Sequence, residues 1–285
     1  MPEKLITWNN RFDRIDTKAE IAWIRHCEHD GHTHMSARKR FLQFIHCMRF
    51  MEQTPKTVLD VGGNRGTGRW FASKLPDASV TILNASPKEL GGWKPFIKAD
   101  AAHFILKKKF DLIILGELLE HVYNPDGVLA SAMLSLAPGG YIYITTPNLA
   151  CIYNRFFLLL GFSTMNYFPS LRYRSGNPVL GGKKDEFGVI PDHKSVFTWR
   201  GLVDLLHHYG YEIIHSDGYD YGQKEPFRTV GDRYYHIPVS GPRSVLNELM
   251  PKSWREGMTF LCRISKNASA EHARKGLYRG SVWDL

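Results

Sequence analysis

The chain has 285 residues, 43% hydrophobic and 13% aromatic, enough to bury a large core in one elaborated domain or two small ones. No stretch reaches the roughly 18 apolar residues that crossing a bilayer requires, and the opening MPEKLITWNNRFDRIDTKAEI has no long apolar run behind a basic start. The expectation is therefore a cytoplasmic protein without a leader or a spanning helix. The formal charge of +9 suits an anionic partner, but the basic residues fall in short groups, Arg38-Lys39-Arg40, Lys107-Lys108-Lys109 and Lys183-Lys184, which read most simply as solvated faces.

In chain order, Lys18 to Cys27 and Ser36 to Met51 read as two helices joined at His29-Asp30-Gly31-His32, a helical cap over residues 1–55. His26, Cys27, His29, His32 and His34 are crowded, yet their spacings fit no closed zinc pattern. The four cysteines, Cys27, Cys47, Cys151 and Cys262, form no CxxC pair, so neither a zinc ribbon nor a disulfide framework is expected, and no metal site is predicted. From Thr57 to Asn148, strand-like and helix-like pieces alternate at the spacing of a parallel α/β sheet. TVLDVG is a buried strand ending in glycine, Arg69 to Leu75 a helix, and SVTILN the next strand. A short helix is predicted from Ala101 to Ile105, followed by the buried strand DLIIL. Asn124-Pro125-Asp126 carries the signals of a helix start: a capping side chain, a proline in the first turn and an acid facing the helix dipole. That helix is predicted to end at Ala137-Pro138-Gly139-Gly140, and YIYITT, alternating and rich in β-branched and aromatic residues, is the fifth strand. GMTFLCRISK reads as a plausible final strand. The domain thus spans 56–268, with insertions at about 149–192 and 217–256, and residues 269–285 form a polar tail.

The loop VLDVGGNRGTG invites a dinucleotide reading, but the fingerprint G-x-G-x-x-G needs its third glycine three residues after the second. No register of Gly62, Gly63, Gly66 and Gly68 provides that. What the loop fits is D-x-G-x-x-x-G, with Asp60, Gly62 and Gly66, and here the sequence resembles the class I S-adenosylmethionine-dependent methyltransferases. Their usual middle glycine is replaced by Asn64, a residue that tolerates positive φ better than most. The resemblance runs in the right order from about Lys56 to Ile214, through Asn84 of TILNAS, Asp100 of KADA, Glu117 to Val122 (ELLEHV), APGGYIYITTPN and HKSVFTWRGLVDLLHHYGYEII, which looks like the family's later segment in which a helix leads to the sixth strand.

The resemblance implies a Rossmann-like, mostly parallel seven-stranded sheet with helices on both faces, a lid inserted after the fifth strand, and S-adenosylmethionine as cofactor. It implies that Asp60, Gly62, Gly63, Asn64, Gly66, Asn84, Asp100 and Glu117 form the cofactor site. Asn84 stands where the family usually has an acid for the ribose hydroxyls, and Asp100 where an acid addresses the adenine amino group. Small residues at Gly62, Gly63 and Gly66 allow close backbone approach. Asp60 could equally cap the strand end beneath the loop. Methyl transfer is a direct displacement in which alignment supplies much of the barrier lowering, and a hydroxyl acceptor gains from a histidine base.

Two histidines compete for that role. His193 follows the insertion where family members commonly build the acceptor side, whereas His121 follows the fourth strand and could instead line the cofactor or support the loop. Tyr153, Arg155, Tyr167, Arg172 and Arg228 are the candidate acceptor-binding residues. The apolar run IYNRFFLLLGF, too short to span a membrane, is either a lid helix buried on the core, the favoured reading, or an interfacial element giving peripheral membrane contact. The leading expectation is O-methylation of a small-molecule, sugar or glycan- or lipid-linked hydroxyl, an anionic acceptor being suited by the charge. RNA or other N-methylation is the enzyme alternative, disfavoured because no appended RNA-binding module is present. A methyltransferase fold that binds without catalysis is the non-enzyme alternative, motivated by Asn64 and Asn84.

Overall fold

The computed structural model describes residues 37–168, 170, 175–177, 193–219, 227–230, 233–236, 250–268 and 277. The predicted first helix, the histidine group before residue 37, Arg172 and nearly all of the tail lie outside them. Seven strands, β1 (Thr57–Val61), β2 (Ser79–Asn84), β3 (Phe96–Lys98), β4 (Phe110–Gly116), β5 (Leu136–Pro147), β6 (Tyr211–Tyr219) and β9 (Gly257–Ile264), form one sheet. Their order is β3-β2-β1-β4-β5-β9-β6, and β7 (Phe227–Val230) pairs with β8 (Arg233–His236) separately. The pairs among β1 to β5 are parallel, while β9 runs antiparallel between β5 and β6. The predicted Rossmann-like sheet is therefore present.

Strand alternation divides the core between the two faces, because successive side chains point to opposite sides of a sheet. Ile113 and Leu115 of β4, with Ile142 and Ile144 of β5, pack on one face against α3 (Pro125–Ser135) and α5 (Trp199–His208) through Val128, Leu129, Leu202 and Leu206. Leu112 and Ile114, with Tyr141 and Tyr143, pack on the other against α1 (Ala37–Met48) and α2 (Arg65–Lys74). Phe44 of α1 sits edge-on to Phe71 at 5.0 Å and to Tyr143 at 5.1 Å between ring centroids, which locks the helix onto the sheet. Among the described residues no helix is long and apolar enough to cross a membrane.

Several local expectations are corrected. The second helix starts at Arg65 rather than Arg69, because Asn64 and Thr67 form a capping box. No helix forms at Ala101 to Ile105: Asp100 Oδ1 accepts the amide of Ala102, and Asp100 bridges to His103 as a tight turn. The helix at Pro125 is capped by Asn124 as predicted but stops at Ser135. The fifth strand begins at Leu136, where Phe110 pairs with it across a register shift that absorbs Pro138 and the two glycines.

At the far edge of the sheet, His215 of β6 stacks on Phe50, with ring centroids 4.0 Å apart, and its Nε2 is buried without a hydrogen-bond partner. Burial above all, and the neighbouring His46 imidazole, push His215 down to about 4, with Lys252 acting in the same sense and Asp217 opposing. The unfolded chain takes up this proton near the ordinary value of about 6.5, so between that value and 4 the unfolded state binds more protons than the folded one. Stability from neutral His215 is therefore full above about pH 6.5 and declines as pH falls toward 4. Thermal melts across that window should show a steeper acid loss for the native chain than for His215→Phe, which keeps the stacking and removes the titration.

Candidate active site

The strand order reverses between β1 and β4, and in open α/β sheets the crevice at such a switch point, beyond the C-terminal strand ends, is where ligands bind. Four strand ends converge there. From β1, Asp60 is 3% exposed and its carboxylate accepts the Thr67 hydroxyl. It lies directly under the loop: a Cβ built on Gly63 would sit 2.0 Å from Asp60 Oδ2. Gly62 turns at φ +76°, and a Cβ there would meet Leu118 Cδ1 at 2.8 Å. The loop thus packs as bare backbone on Asp60 and Leu118, with no room for a side chain at either glycine. Asn64 does not occupy the positive-φ position anticipated for it; it is extended at φ −129° and caps α2, while Gly66 is buried inside that helix.

From β2, Asn84 uses both ends of its amide on local backbone. Its Nδ2 donates to the Gly63 carbonyl at 2.9 Å and its Oδ1 accepts the Ser86 amide at 2.9 Å. The position that usually holds a ribose-binding acid here braces the glycine loop. Asn84→Asp, although it restores the family's acid, should consequently loosen the loop, because a carboxylate cannot donate to the Gly63 carbonyl. We expect a stability cost of about 1–3 kcal/mol and weaker, not tighter, cofactor binding, read by thermal melts and calorimetry. Asp100, after β3, is exposed, and its Oδ1 holds the Ala102 amide.

From β4, Glu117 adopts φ +52°, the one positive φ outside glycine among the described residues. Its amide donates to the Thr145 carbonyl at 2.9 Å, and its carboxylate accepts the Tyr219 hydroxyl at 2.7 Å. Backbone strain of this kind costs about 1–3 kcal/mol and concentrates at functional sites. Tyr219 arrives from the end of β6, 102 residues away in sequence, a partner that no local pattern announces.

Beyond β4, the short turn Leu119–His121 carries the histidine side of the site. His121 and His193 meet edge to face with ring centroids 4.9 Å apart. His193 is held there because the amides of Lys194 and Ser195 both donate to the Glu120 carbonyl. Its Nδ1 lies against the carbonyl oxygen of Asn166. A ring nitrogen facing a carbonyl must carry the proton, so the lone pair is on Nε2. Glu120, which the sequence reading passed over within ELLEHV, is 1% exposed and accepts the Thr146 hydroxyl at 3.0 Å. A donor atom from each of Glu120, His121 and His193 lies within 4.8 Å of the others, and the same holds for His46, His215 and Asp217 at the sheet edge. Either trio has the chemistry of metal ligands. A cation at the first would take up the Nε2 lone pair that a base needs, so the two uses exclude each other.

The segment after β5 is fastened by amides. Asn148 donates to the carbonyls of Ser253 and Arg255 at 2.8 Å each, and Asn166 donates to the Asn148 carbonyl at 3.3 Å. Asn154, fully buried, donates to the Leu149 carbonyl and to Asn166 Oδ1 and accepts the Met165 amide. Asn166 thereby links the insertion to His193. The apolar helix α4 (Ile152–Leu159) is corrected from a buried lid: Asn154 is its one fully buried side chain. Tyr153 and Tyr167 are exposed, and Arg155 donates to the Ala150 carbonyl at 2.7 Å with its guanidinium over Trp254. For Arg228 only a backbone place in β7 is described.

A family model for a methyltransferase domain matches residues 15–216. The chain belongs to this methyltransferase family. With the strand order and glycine loop it is a class I S-adenosylmethionine-dependent methyltransferase. No curated protein matches it. Solved structures with similarity to this methyltransferase include a SAM-dependent methyltransferase from Archaeoglobus fulgidus, 15% identical over 78% of this chain and 93% of that one, with a TM-score of 0.47. Another is an S-adenosylmethionine-dependent methyltransferase from Clostridium acetobutylicum ATCC 824, 15% identical over 80% and 92%, at 0.49. The N-methyltransferase NodS from Bradyrhizobium japonicum WM9 is 12% identical over 81% and 97%, at 0.43.

The residues fit the cofactor. The glycine loop is clear of side chains where a Cβ would collide with Asp60, and its Gly63 carbonyl is pinned by Asn84. By the resemblance, Gly62 and Gly63 would hold the amino-acid end by backbone approach, and Asp100, which follows β3, would address the adenine.

Proposed function

We propose that this methyltransferase methylates a hydroxyl of a small-molecule, sugar or glycan- or lipid-linked acceptor, with His193 as general base. The observation that carries the reading is the His193 Nδ1 contact with the Asn166 carbonyl, which puts the ring proton on Nδ1 and the basic lone pair on Nε2. When bound, S-adenosylmethionine supplies a methyl group on a sulfonium, which departs with the carbon–sulfur electron pair as the thioether. His193 Nε2 takes the hydroxyl proton as the acceptor oxygen bonds to the methyl carbon. The charge that His193 acquires is met by the Glu120 carboxylate within 4.8 Å. The His121 ring, edge to face with His193, limits the tilt of the base, and the Asn148, Asn154 and Asn166 amides fix the carbonyl that orients it.

Transfer of labelled methyl from S-adenosylmethionine to panels of hydroxyl and amine acceptors, anionic members included, tests the reading. Label on oxygen supports it. Label confined to nitrogen, or cofactor binding without transfer to any acceptor, replaces it with the N-methyl or the non-catalytic alternative.

A further inference from the structure

The insertion after β5 presents a surface that methyl transfer does not explain. Tyr153, Phe156, Leu158, Leu159, Leu160 and Phe162 are each between 40% and 80% exposed, within ten consecutive residues. Soluble proteins rarely display so continuous an apolar patch without something to cover it. The projection is also built to hold its shape. Asn154 anchors the helix from inside, Gly161 turns the chain at φ +78°, and the Phe162 amide closes back on the Phe157 carbonyl at 2.7 Å.

We propose that this projection inserts shallowly into an anionic lipid surface and makes the enzyme a peripheral membrane protein. Charge selects this occupant. From Gly127 to Lys184 the sequence contains no aspartate or glutamate, but it contains Arg155, Arg172, Arg174, Lys183 and Lys184. The whole chain carries +9. A second copy would set this basic, acid-free stretch against itself, whereas anionic headgroups neutralise it. Dimensions agree: α4 has eight residues, about 12 Å of helix, enough for the boundary depth of about 5–10 Å that interfacial helices occupy and far short of spanning. Tyr153 and Trp254, with Arg155 lying over the indole at 5.3 Å, supply the aromatic and cationic groups that settle at the headgroup level.

The test needs no acceptor. The full chain and the double variant Phe156→Glu/Leu159→Glu are sedimented with vesicles of phosphatidylglycerol and phosphatidylcholine, and with phosphatidylcholine alone. The native chain should bind the anionic vesicles at least about tenfold more strongly than the variant, since burying one such side chain is worth about a decade of affinity or more. It should prefer them to the neutral ones, and the variant should keep its melting temperature and its affinity for S-adenosylmethionine. Equal binding by the variant, or none by the native chain, overturns the proposal. So does a marked fall in the variant's melting temperature, which would show the face packed within the chain. A native dimer that the variant loses without any vesicle binding would make the occupant a second copy.

Discussion

Gly63→Ala is expected to lower S-adenosylmethionine affinity by about a hundredfold or more, the equivalent of some 2.7 kcal/mol. The added methyl would lie 2.0 Å from Asp60 Oδ2 and 2.3 Å from its Cγ, distances that no rotamer change at residue 63 relieves. Asp60 cannot easily yield. It is 3% exposed, accepts the Thr67 hydroxyl, and sits on β1 between β2 and β4. The loop must therefore lift, which breaks the Asn84 contact to the Gly63 carbonyl and displaces the bare backbone packed on Asp60. Calorimetric titration measures the loss, and a double-mutant cycle identifies its cause. If the clash is responsible, Asp60→Ala/Gly63→Ala binds no worse than Asp60→Ala alone. Additive losses would mean that Gly63 acts through something other than Asp60. Gly62→Ala is the milder comparison in contacts, because its obstacle is the terminal methyl of Leu118, although its positive φ adds a backbone cost.

The sheet was legible because each central strand is a continuous apolar run closed by a polar residue or glycine, as strands covered on both faces must be. The glycine loop was legible too, because its glycines follow β1 directly. Less visible was what each polar residue does there. Asn64 was expected to ease a tight turn, but an asparagine three residues before a threonine is also a capping pair, and that local hydrogen bonding won over loop flexibility. Gly66 and Gly68 disguised the first turn of α2 as loop. In ELLEHV, Glu120 stood beside His121 in plain view, yet its burial depends on Thr146 from another strand. Tyr219 with Glu117, and Asn148 with residues 253 and 255, are pairings across about a hundred residues that only the closed sheet creates. The exposure of α4 was hidden because a largely apolar octapeptide, IYNRFFLL, reads alike whether it faces a core or a membrane, and periodicity carries no information about what lies opposite.

His193→Ala is expected to lower kcat on a hydroxyl acceptor by about 10² to 10⁴, the range for loss of a positioned base, while S-adenosylmethionine affinity stays within about twofold. The separation follows from position: His193 reaches the site from the segment docked on Glu120, not from the glycine loop. Alanine alone would not distinguish a base from a ring that merely fills space beside His121, so His193→Asn supplies the second arm. Its side-chain amide nitrogen takes the place of Nδ1 and can still donate to the Asn166 carbonyl, but it has no basic lone pair in the place of Nε2. Equal losses in the two variants assign the effect to proton removal; near-native turnover in His193→Asn would reduce His193 to a positioning residue. The acceptor adds an independent check. A neutral amine attacks with a free lone pair and needs no base before the methyl moves, whereas a hydroxyl becomes a strong nucleophile only as its proton departs. A large effect in both variants on an oxygen acceptor, and a small one on any amine that the enzyme also accepts, is the pattern required if the Asn166 carbonyl is there to hold His193 with its Nε2 lone pair toward the acceptor.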